Sequence, residues 1–405
     1  MVCISLHRMP LTAGMLLLAA SIAPFAASSQ NALPFGTADQ QRQLADTIDR
    51  IKTQEGPYSP SLLGPFMELA LLYRESGNGT FALATIEQAL HVVRATYGLR
   101  SFEQAPLLRQ KILLEQDRGN VAEAWRLEQE LLTLLSRHPA DLRTVPMLHE
   151  IADKRIAVLE RYLDGEFRPE IVLGCFYDPF PEDDTGSCTS GSKRVVVHAL
   201  VDDAATHYFE AIKVLLRNDL YASGELRELE TQLMHSSYSH GEYRIGRASV
   251  RRLISYEAVI GAPPTSQMDL VVQLADWDLL FATNKSLPLD LYERVHERLK
   301  LEETGRQAID RIFSPEIPVV LPAFLPNPLV PDETKRRTGY IDVAFELTKF
   351  GQSRDVKILG ASGSATDAAK EQLVQLISTS RFRPRLNGGQ FGRTAPITVR
   401  YQLTD

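Results

Sequence analysis

Apolar and small residues recur at helical spacing through most of this 405-residue chain, from Ser61 to about Phe313. Leu69, Ala70 and Tyr73 share one face of the first predicted helix. Ala82, Ile86 and Ala89 share one face of the second. A period of 3.6 residues, with polar residues between, is typical of amphipathic helices. Gly77-Asn78-Gly79 separates the two helices and predicts a tight turn, so this stretch is predicted to form a helical hairpin.

The hairpin pattern recurs further along the chain, with Gly119-Asn120 in place of Gly77-Asn78. The helix positions of this second copy are taken by Ile112, Glu115, Ala124 and Leu131. This order of small and large residues resembles the tetratricopeptide repeat, in which small residues lie where paired helices cross closely. The second copy departs from that pattern at Glu115, where an aromatic residue is usual, and at Glu128, where a large apolar residue is usual.

The resemblance implies a stack of hairpins that bury their faces against their neighbours and present a concave surface to other chains. The alternative is an ordinary helical bundle. A third hairpin is predicted from Met147 to Leu163, and Lys193 to Leu200 predicts the start of either a helix or a strand. Leu274 to Phe281, with the helix that continues through Leu291, resembles a degenerate repeat pair.

Near residue 339 the spacing of apolar residues changes from the 3.6-residue period of a helix to the two-residue period of a strand. Apolar residues then alternate with polar ones, as in a half-buried strand, at Ile341, Val343, Phe345 and Leu347. A second extended run covers Ser353 to Leu359.

A helix is predicted next, with Ser364 as its N-cap and Asp367 three residues later. Extended runs follow from Phe382 to Leu386 and from Ile397 to Leu403, which gives a small α+β unit in the order ββαββ.

These elements resemble the C-terminal domain of TonB-like proteins. The residues that carry the resemblance are, in chain order, Gly339-Tyr340-Ile341, Gly351, an Ala-rich helix from Ala365 to Ile377, Arg381-Phe382-Arg383-Pro384, Asn387-Gly388 and Ile397 to Leu403. The resemblance implies that the domain binds an extended partner segment, as the domain of TonB engages a short segment of outer-membrane receptors.

The candidate binding residues lie on the last strand and on the run before it. An edge strand can pair with a partner segment through its backbone, and the strand candidates are Ala395, Ile397, Thr398, Val399, Arg400 and Tyr401. Arg381, Arg383 and Arg385 alternate along one face of the preceding run. They are expected either to contact an acidic partner or to form a solvated face.

The fold class is therefore mostly α: a tetratricopeptide-like solenoid, a proline-rich linker and a small α+β TonB-like domain. The predicted boundaries are 1–29 for a signal peptide, 30–174 for helical repeats, 175–195 for a Cys-bounded loop, 196–313 for further repeats, 314–338 for the linker and 339–405 for the TonB-like domain. Repeated prolines remove backbone donors from the linker. It is expected either to extend as polyproline II or to lie partly against the helices.

The N-terminus predicts export. An apolar run from Leu11 to Phe25 follows His7 and Arg8 and ends in small residues suited to cleavage. This run is shorter than the roughly 20 residues of a membrane-spanning helix, so a cleaved signal peptide is favoured over a retained inner-membrane anchor. The resemblance to TonB-like domains implies that the exported protein is periplasmic. After cleavage Cys175 and Cys188 remain, and they are predicted to form a disulfide across a loop rich in proline and aspartate. A metal site is the alternative.

Charge and motifs add mainly exclusions. The net charge of −7 offers no basic field for nucleic acid. No Walker, Rossmann or His-Glu-x-x-His pattern occurs in the sequence, and no catalytic, cofactor or metal residues are predicted. His207 and Glu210 have a spacing that can serve a metal, but a surface contact is the preferred interpretation.

Three functions remain as hypotheses. The first is a periplasmic interaction protein that binds protein partners, among them outer-membrane receptors or periplasmic proteins, through its repeats and its TonB-like domain. The second is an energy transducer of the TonB type, anchored by an uncleaved N-terminal helix and supporting receptor-mediated transport. Membrane association is expected only in that case. The third is an exported enzyme, which no motif supports.

Overall fold

The computed structural model describes residues 37–165 and 193–404, apart from residues 283, 285, 332, 333 and 388. The predicted signal peptide and the predicted Cys175–Cys188 disulfide lie outside the described residues. The chain divides into two compact units, residues 1–114 and residues 115–405.

The first unit is helical. It contains α1 (Thr37–Glu55), α2 (Leu63–Glu75), α3 (Gly79–Tyr97) and most of α4 (Ala105–Asp117). α2 packs against α3 as the predicted hairpin. The predicted core positions are buried, with the exception of Tyr73, which is half-buried with its ring 5.5 Å from that of Phe81.

The second unit combines helices with a sheet. Its helices after α4 are α5 (Val121–Leu135), α6 (Val145–Leu163), α7 (Lys193–Arg217), α8 (Gly224–His240), α9 (Tyr243–Val259), α10 (Pro264–Phe281), α11 (Ser286–Leu299) and α12 (Gly305–Phe313). From α6 to α11 each helix packs against the next. The run from Lys193 is therefore a helix. The third hairpin predicted from Met147 to Leu163 is wrong, because α6 is one continuous helix over that stretch and its partner is α7.

The predicted repeat is visible in the turns between helices. Gly77 and Gly119 both have a left-handed φ of 75°. The next residue in each copy donates its backbone N–H five residues back, from Asn78 to Tyr73 O at 2.8 Å and from Asn120 to Glu115 O at 2.9 Å. This is the 6→1 bond of a Schellman turn, and it needs a residue that tolerates positive φ.

Short 3-10 turns mark the other end of each repeat. They cover Pro60–Leu62, Phe102–Gln104 and Leu142–Thr144. Each is capped by a side-chain oxygen that accepts a backbone N–H two residues ahead, from Ser59, Ser101 and Asp141 respectively. The spacing of these turns agrees with the spacing of the glycine turns, and it confirms a helical repeat in preference to a bundle of unrelated helices.

Gly246 on α9 makes room for the indole of Trp277 on α10. A Cβ at this position would lie 2.2 Å from two ring carbons of Trp277, whose side chain is buried.

We expect Gly246→Ala to lower the free energy of unfolding by about 1–3 kcal/mol through overpacking, even though alanine favours the helix. Urea unfolding followed by circular dichroism measures this. Gly64→Ala on α2 is the control, because its Cβ would meet nothing within 4 Å. It is expected to be neutral or to stabilise by up to about 1 kcal/mol, and equal losses in both variants would contradict the steric explanation.

The proline-rich segment is packed against both the helices and the sheet. Val320–Leu321 forms β1, which pairs antiparallel with β4 (Arg381–Phe382). Val320 joins the core of the C-terminal sheet, whereas Leu321 joins the core formed by α8 to α12. The sequence predicts either that this segment extends as polyproline II or that it lies partly against the helices. In the structure it lies partly against the helices.

The C-terminal sheet has three antiparallel strands in the order β3-β2-β7. They are β2 (Arg337–Leu347), β3 (Ser353–Ala361) and β7 (Ile397–Thr404), and α13 (Asp367–Thr379) packs against β3. The predicted alternation in β2 is confirmed, because its four apolar residues are buried on one face with Leu373 and Ile377 of α13.

Two local predictions are wrong. Thr366, and not Ser364, caps α13, since Thr366 Oγ1 accepts from the backbone N–H of Ala369 at 3.1 Å, while Ser364 donates to Thr338 O at 2.8 Å. The predicted strand from Phe382 to Leu386 does not join the three-stranded sheet. Its first part is β4, and a hairpin of β5 (Leu386–Asn387) and β6 (Gln390–Phe391) follows it. Pro384 supplies no backbone donor, so the run cannot pair continuously.

Candidate interaction sites

β7 forms one edge of the C-terminal sheet, as the sequence predicts for the last strand. Its side chains divide between two environments. Val399 is buried and lies opposite Val343, whereas Thr398 and Arg400 are exposed on the other face. Ala395 precedes the strand and is exposed.

The core-facing side of β7 is incompletely covered. Ile397, Tyr401 and Leu403 are half-buried and line the sheet core, because α13 packs on the β3 side of the sheet. An extended segment that paired with β7 would bring alternate side chains against this half-covered apolar row. The geometry therefore suits the addition of an amphipathic strand.

The solvent-facing side of β7 carries an organised cation. Arg400 donates to both carboxylate oxygens of Asp342 at 2.8 and 2.9 Å, and its guanidinium lies 4.2 Å above the ring of Tyr340. The hydrogen bond lowers the pKa of Asp342 and raises the pKa of Arg400. Arg400 is thus held in place while remaining more than half exposed.

The three alternating arginines do not form one binding face. Arg381 donates to Phe350 O at 2.9 Å. Nη1 of Arg385 is buried with no hydrogen-bond partner among the described residues, and burial lowers the pKa of this side chain. Arg383 is turned inward against the helices. The prediction of an acidic partner from outside, or of a solvated face, is therefore wrong for Arg383, whose acidic partner belongs to the same chain.

That partner is Asp276 on α10. Arg383 donates to its two oxygens at 3.0 and 2.6 Å, and both side chains are largely buried. The hydroxyl of Tyr292 on α11 donates to Asp276 at 2.6 Å. Burial opposes the charge of Arg383, but the Asp276 carboxylate outweighs it and raises the arginine pKa. Sequence reasoning missed Asp276, although a carboxylate inside the apolar run Leu274 to Phe281 was the available signal.

A second buried ionic cluster lies among α5, α6 and α7. Arg155 contacts Glu128 and donates to Asp203 at 2.6 Å, and its guanidinium stacks 4.6 Å over the ring of Trp125. Glu128 is 4% exposed. The departure from the repeat pattern at Glu128 is thereby explained, because a buried arginine neutralises a carboxylate where an apolar residue is usual.

The same cluster accounts for His207. Its Nε2 lies 3.5 Å from Asp203, while Glu210 is bound by Lys213 at 2.6 Å. His207 and Glu210 therefore do not face a common ion. Within the described part of the chain, no group of three or more His, Cys, Asp or Glu side chains is placed to hold a metal.

An open cleft of about 400 Å³ lies between α6 and the start of α8. It is lined by Pro146, His149, Glu150, Asp153, Lys154, Ala157 and Glu225. Asp153 is fixed there by the hydroxyl of Tyr208, which donates to it at 2.6 Å. The side chains that line it carry charges of both signs.

The described helices include none that is both long and apolar enough to cross a bilayer. No protein family and no curated protein matches this chain.

Solved structures with helical repeats are similar to part of it. A Podosopora anserina kinesin light chain with nearly identical TPR-like repeats matches with a TM-score of 0.33 and 14% identity, over 60% of this chain and 99% of that one. BtubC (BKLC) from P. vanneervenii matches with a TM-score of 0.32 and 13% identity, over 67% of this chain and 94% of that one. The assignment of helical repeats rests on the recurring turns and helix pairs of the chain itself.

Proposed function

We propose that this chain is a non-catalytic, exported interaction protein whose helical repeats and C-terminal sheet each bind a protein partner. The observation that carries the proposal is the edge strand β7, with its half-covered apolar row on one face and Arg400 on the other. Backbone groups at such an edge supply affinity, and alternate side chains supply specificity.

The chemistry of β7 defines the partner segment. It is extended, it alternates apolar and polar residues, and its apolar side chains cover Ile397, Tyr401 and Leu403. The other edge of the sheet, β3, has the exposed Leu359 but is backed by α13. The resemblance to TonB-like domains supports the same mode of binding, with segments of outer-membrane receptors or periplasmic proteins as the class of partner.

Edge-specific substitution tests this proposal. Peptides of eight residues, the length of β7, are selected from a displayed library against the full chain, and their affinities are measured by fluorescence anisotropy. We expect Thr398→Lys to weaken the selected peptides by about tenfold or more, because a lysine on an edge strand opposes strand addition. Thr398 is exposed, so the fold should be unchanged.

Leu359→Lys on the opposite edge is the matched control and should leave the affinity unchanged. Loss of binding in Leu359→Lys with retention in Thr398→Lys would move the site to β3. Equal affinities for both variants and the parent would overturn strand addition altogether.

The proposed location is the periplasm, and an inner-membrane anchor is the alternative. The Pro-rich segment of this chain follows the helices and packs against the sheet, whereas a TonB-type transducer carries its span directly after the anchor. N-terminal sequencing of the protein separates the two cases. A soluble protein that starts near Gln30 supports the interaction protein, whereas an intact Met1 in the membrane fraction supports the transducer.

A further inference from the structure

The C-terminal segment that follows α12, residues 314–404, places two phenylalanine rings among the helices of the second unit. Each of these rings contacts a histidine. Phe324 of the proline-rich segment stacks on His235 of α8, with ring centroids 4.8 Å apart and planes at 24°. Phe391 of β6 meets His296 of α11 edge-on, at 6.4 Å and 74°. The same histidine contacts Phe313 of α12.

Burial disfavours a positive charge on His235, and the face of the Phe324 ring, which attracts a cation, offsets only part of that cost. Its Nε2 is buried without a hydrogen-bond partner among the described residues. Tyr238 on its own helix carries no charge in this pH range, and burial raises the pKa of its hydroxyl further, while the proline-rich segment presents the ring of Phe324. Burial lowers the pKa of His235.

His296 is in a similar position at the other contact. It is 7% exposed, and α12 and β6 present aromatic rings to it. On its own helix it faces Lys300 and Glu297. Glu297 lies 3.7 Å away but is mostly exposed and is bound by Lys300 at 2.7 Å. Burial and then Lys300 lower the pKa of His296, while Glu297 opposes them weakly.

We propose that the contact between the C-terminal segment and the helices is acid-sensitive. His235 and His296 must be neutral for Phe324 and Phe391 to stay packed against α8 and α11. The two histidines sit at separate points of one contact, so protonation of both acts on the same event. The Arg383–Asp276 pair supplies the polar anchor of this contact.

The direction of the pH effect follows from proton binding. A histidine released to solvent titrates near 6.5, and each docked histidine titrates below that value. The released state therefore binds more protons as the pH falls through this range. Docking is at full strength above about pH 6.5 and weakens as the pH falls towards the lower pKa of the docked state.

Trp277 provides a probe within the contact. Its indole is 1% exposed and stacks 6.3 Å from the ring of Phe324. The chain has one other tryptophan, Trp125, so Trp125→Phe in the full-length protein leaves Trp277 as the sole indole. Phenylalanine keeps an aromatic ring for Arg155 to stack on.

We expect the emission of Trp277 to shift to longer wavelength as the pH is lowered from 7.5 to 5.5, with the far-ultraviolet helical signal unchanged. Addition of His235→Phe and His296→Phe should abolish this shift or move it to lower pH. His198→Gln is the control, since His198 is 57% exposed and lies outside the contact. It should leave the midpoint unchanged.

A midpoint that is the same with and without the two histidines would overturn the proposal. So would a shift that coincides with loss of the helical signal, because that reports global unfolding. Hydrogen exchange of the Trp277 indole N–H in the wild-type protein gives a second measurement that needs no tryptophan substitution. This N–H donates to Tyr243 O at 3.0 Å and its ring stacks on Phe324, so its exchange, after correction for intrinsic exchange, should become faster in the same pH range.

Discussion

Asp276→Ala is expected to lower the free energy of unfolding by about 3–5 kcal/mol, because it leaves a buried guanidinium without its counter-ion. The side chain of Arg383 is 13% exposed and that of Asp276 is 3% exposed, so neither charge is well solvated. The hydroxyl of Tyr292 also loses its acceptor. Denaturant unfolding followed by circular dichroism measures the loss.

A double substitution separates the value of the pair from the penalty of breaking it. Asp276→Leu combined with Arg383→Met replaces both charges with apolar groups, and buried ion pairs replaced in this way are often neutral in stability. We therefore expect the double variant to be more stable than either single variant. A double variant as unstable as the sum of the singles would show that the two side chains do not act on each other.

Asp269→Ala provides the matched control. Asp269 lies on the same helix and pairs with Arg311, but the two side chains are 42% and 60% exposed. Exposed pairs contribute about 0–1 kcal/mol. If Asp276→Ala and Asp269→Ala have similar effects, burial of the Arg383–Asp276 pair is not what makes it important.

The regular elements of this fold follow from local signals. The helical period from Ser61 and the alternation in β2 are properties of neighbouring residues, and both are confirmed by burial. The glycine turns also encode their own geometry, because Gly77 and Gly119 take the same left-handed conformation and the same 6→1 bond. A local pattern that recurs is therefore sufficient to identify a repeat.

The contacts between elements do not follow from such signals. Arg383 and Asp276 are 107 residues apart in the chain, and no spacing rule connects them. Three alternating arginines predict a shared face, but Val319 and Val320 pair with that run and turn Arg383 towards the helices. The choice of Thr366 over Ser364 as helix cap has a similar cause, since Ser364 is engaged by the backbone of Thr338.

The inward turn of Arg383 also sharpens the proposed function. β4 is already paired with β1, and Arg383 is bound by Asp276. The run from Arg381 to Arg385 is therefore engaged by the chain itself. β7 remains as the edge with an uncovered apolar row and an exposed cation. We therefore propose β7 as the binding strand, because the rest of the chain already pairs β4 and Arg383.

Arg155→Ala is expected to have an effect of similar size, about 3–5 kcal/mol, because it leaves the carboxylates of Glu128 and Asp203 buried without a cation. Arg155 is 8% exposed and its two partners are 5% and 20% exposed. Within the native cluster, burial opposes the negative charge of Asp203, but the neighbouring His207 and Arg155 outweigh it and lower the pKa of Asp203. The ionised Asp203 carboxylate stabilises the folded state above the ordinary aspartate pKa of about 3.9. This stabilisation is lost as the pH falls through the lower pKa that Asp203 has in the native cluster. The deficit of Arg155→Ala should therefore be largest near neutral pH and should shrink in acid.

Urea unfolding at pH 7 and pH 3 measures both the deficit and its pH dependence. Arg126→Ala is the control on α5, because Arg126 is 58% exposed and pairs with Glu123 and Glu130 on the same helix. Its expected loss is below about 1 kcal/mol. Glu128→Leu combined with Arg155→Leu restores an apolar residue where tetratricopeptide repeats usually have one, and it should recover most of the stability lost in Arg155→Ala. If it does not, Glu128 and Arg155 have a role in the fold beyond neutralising each other.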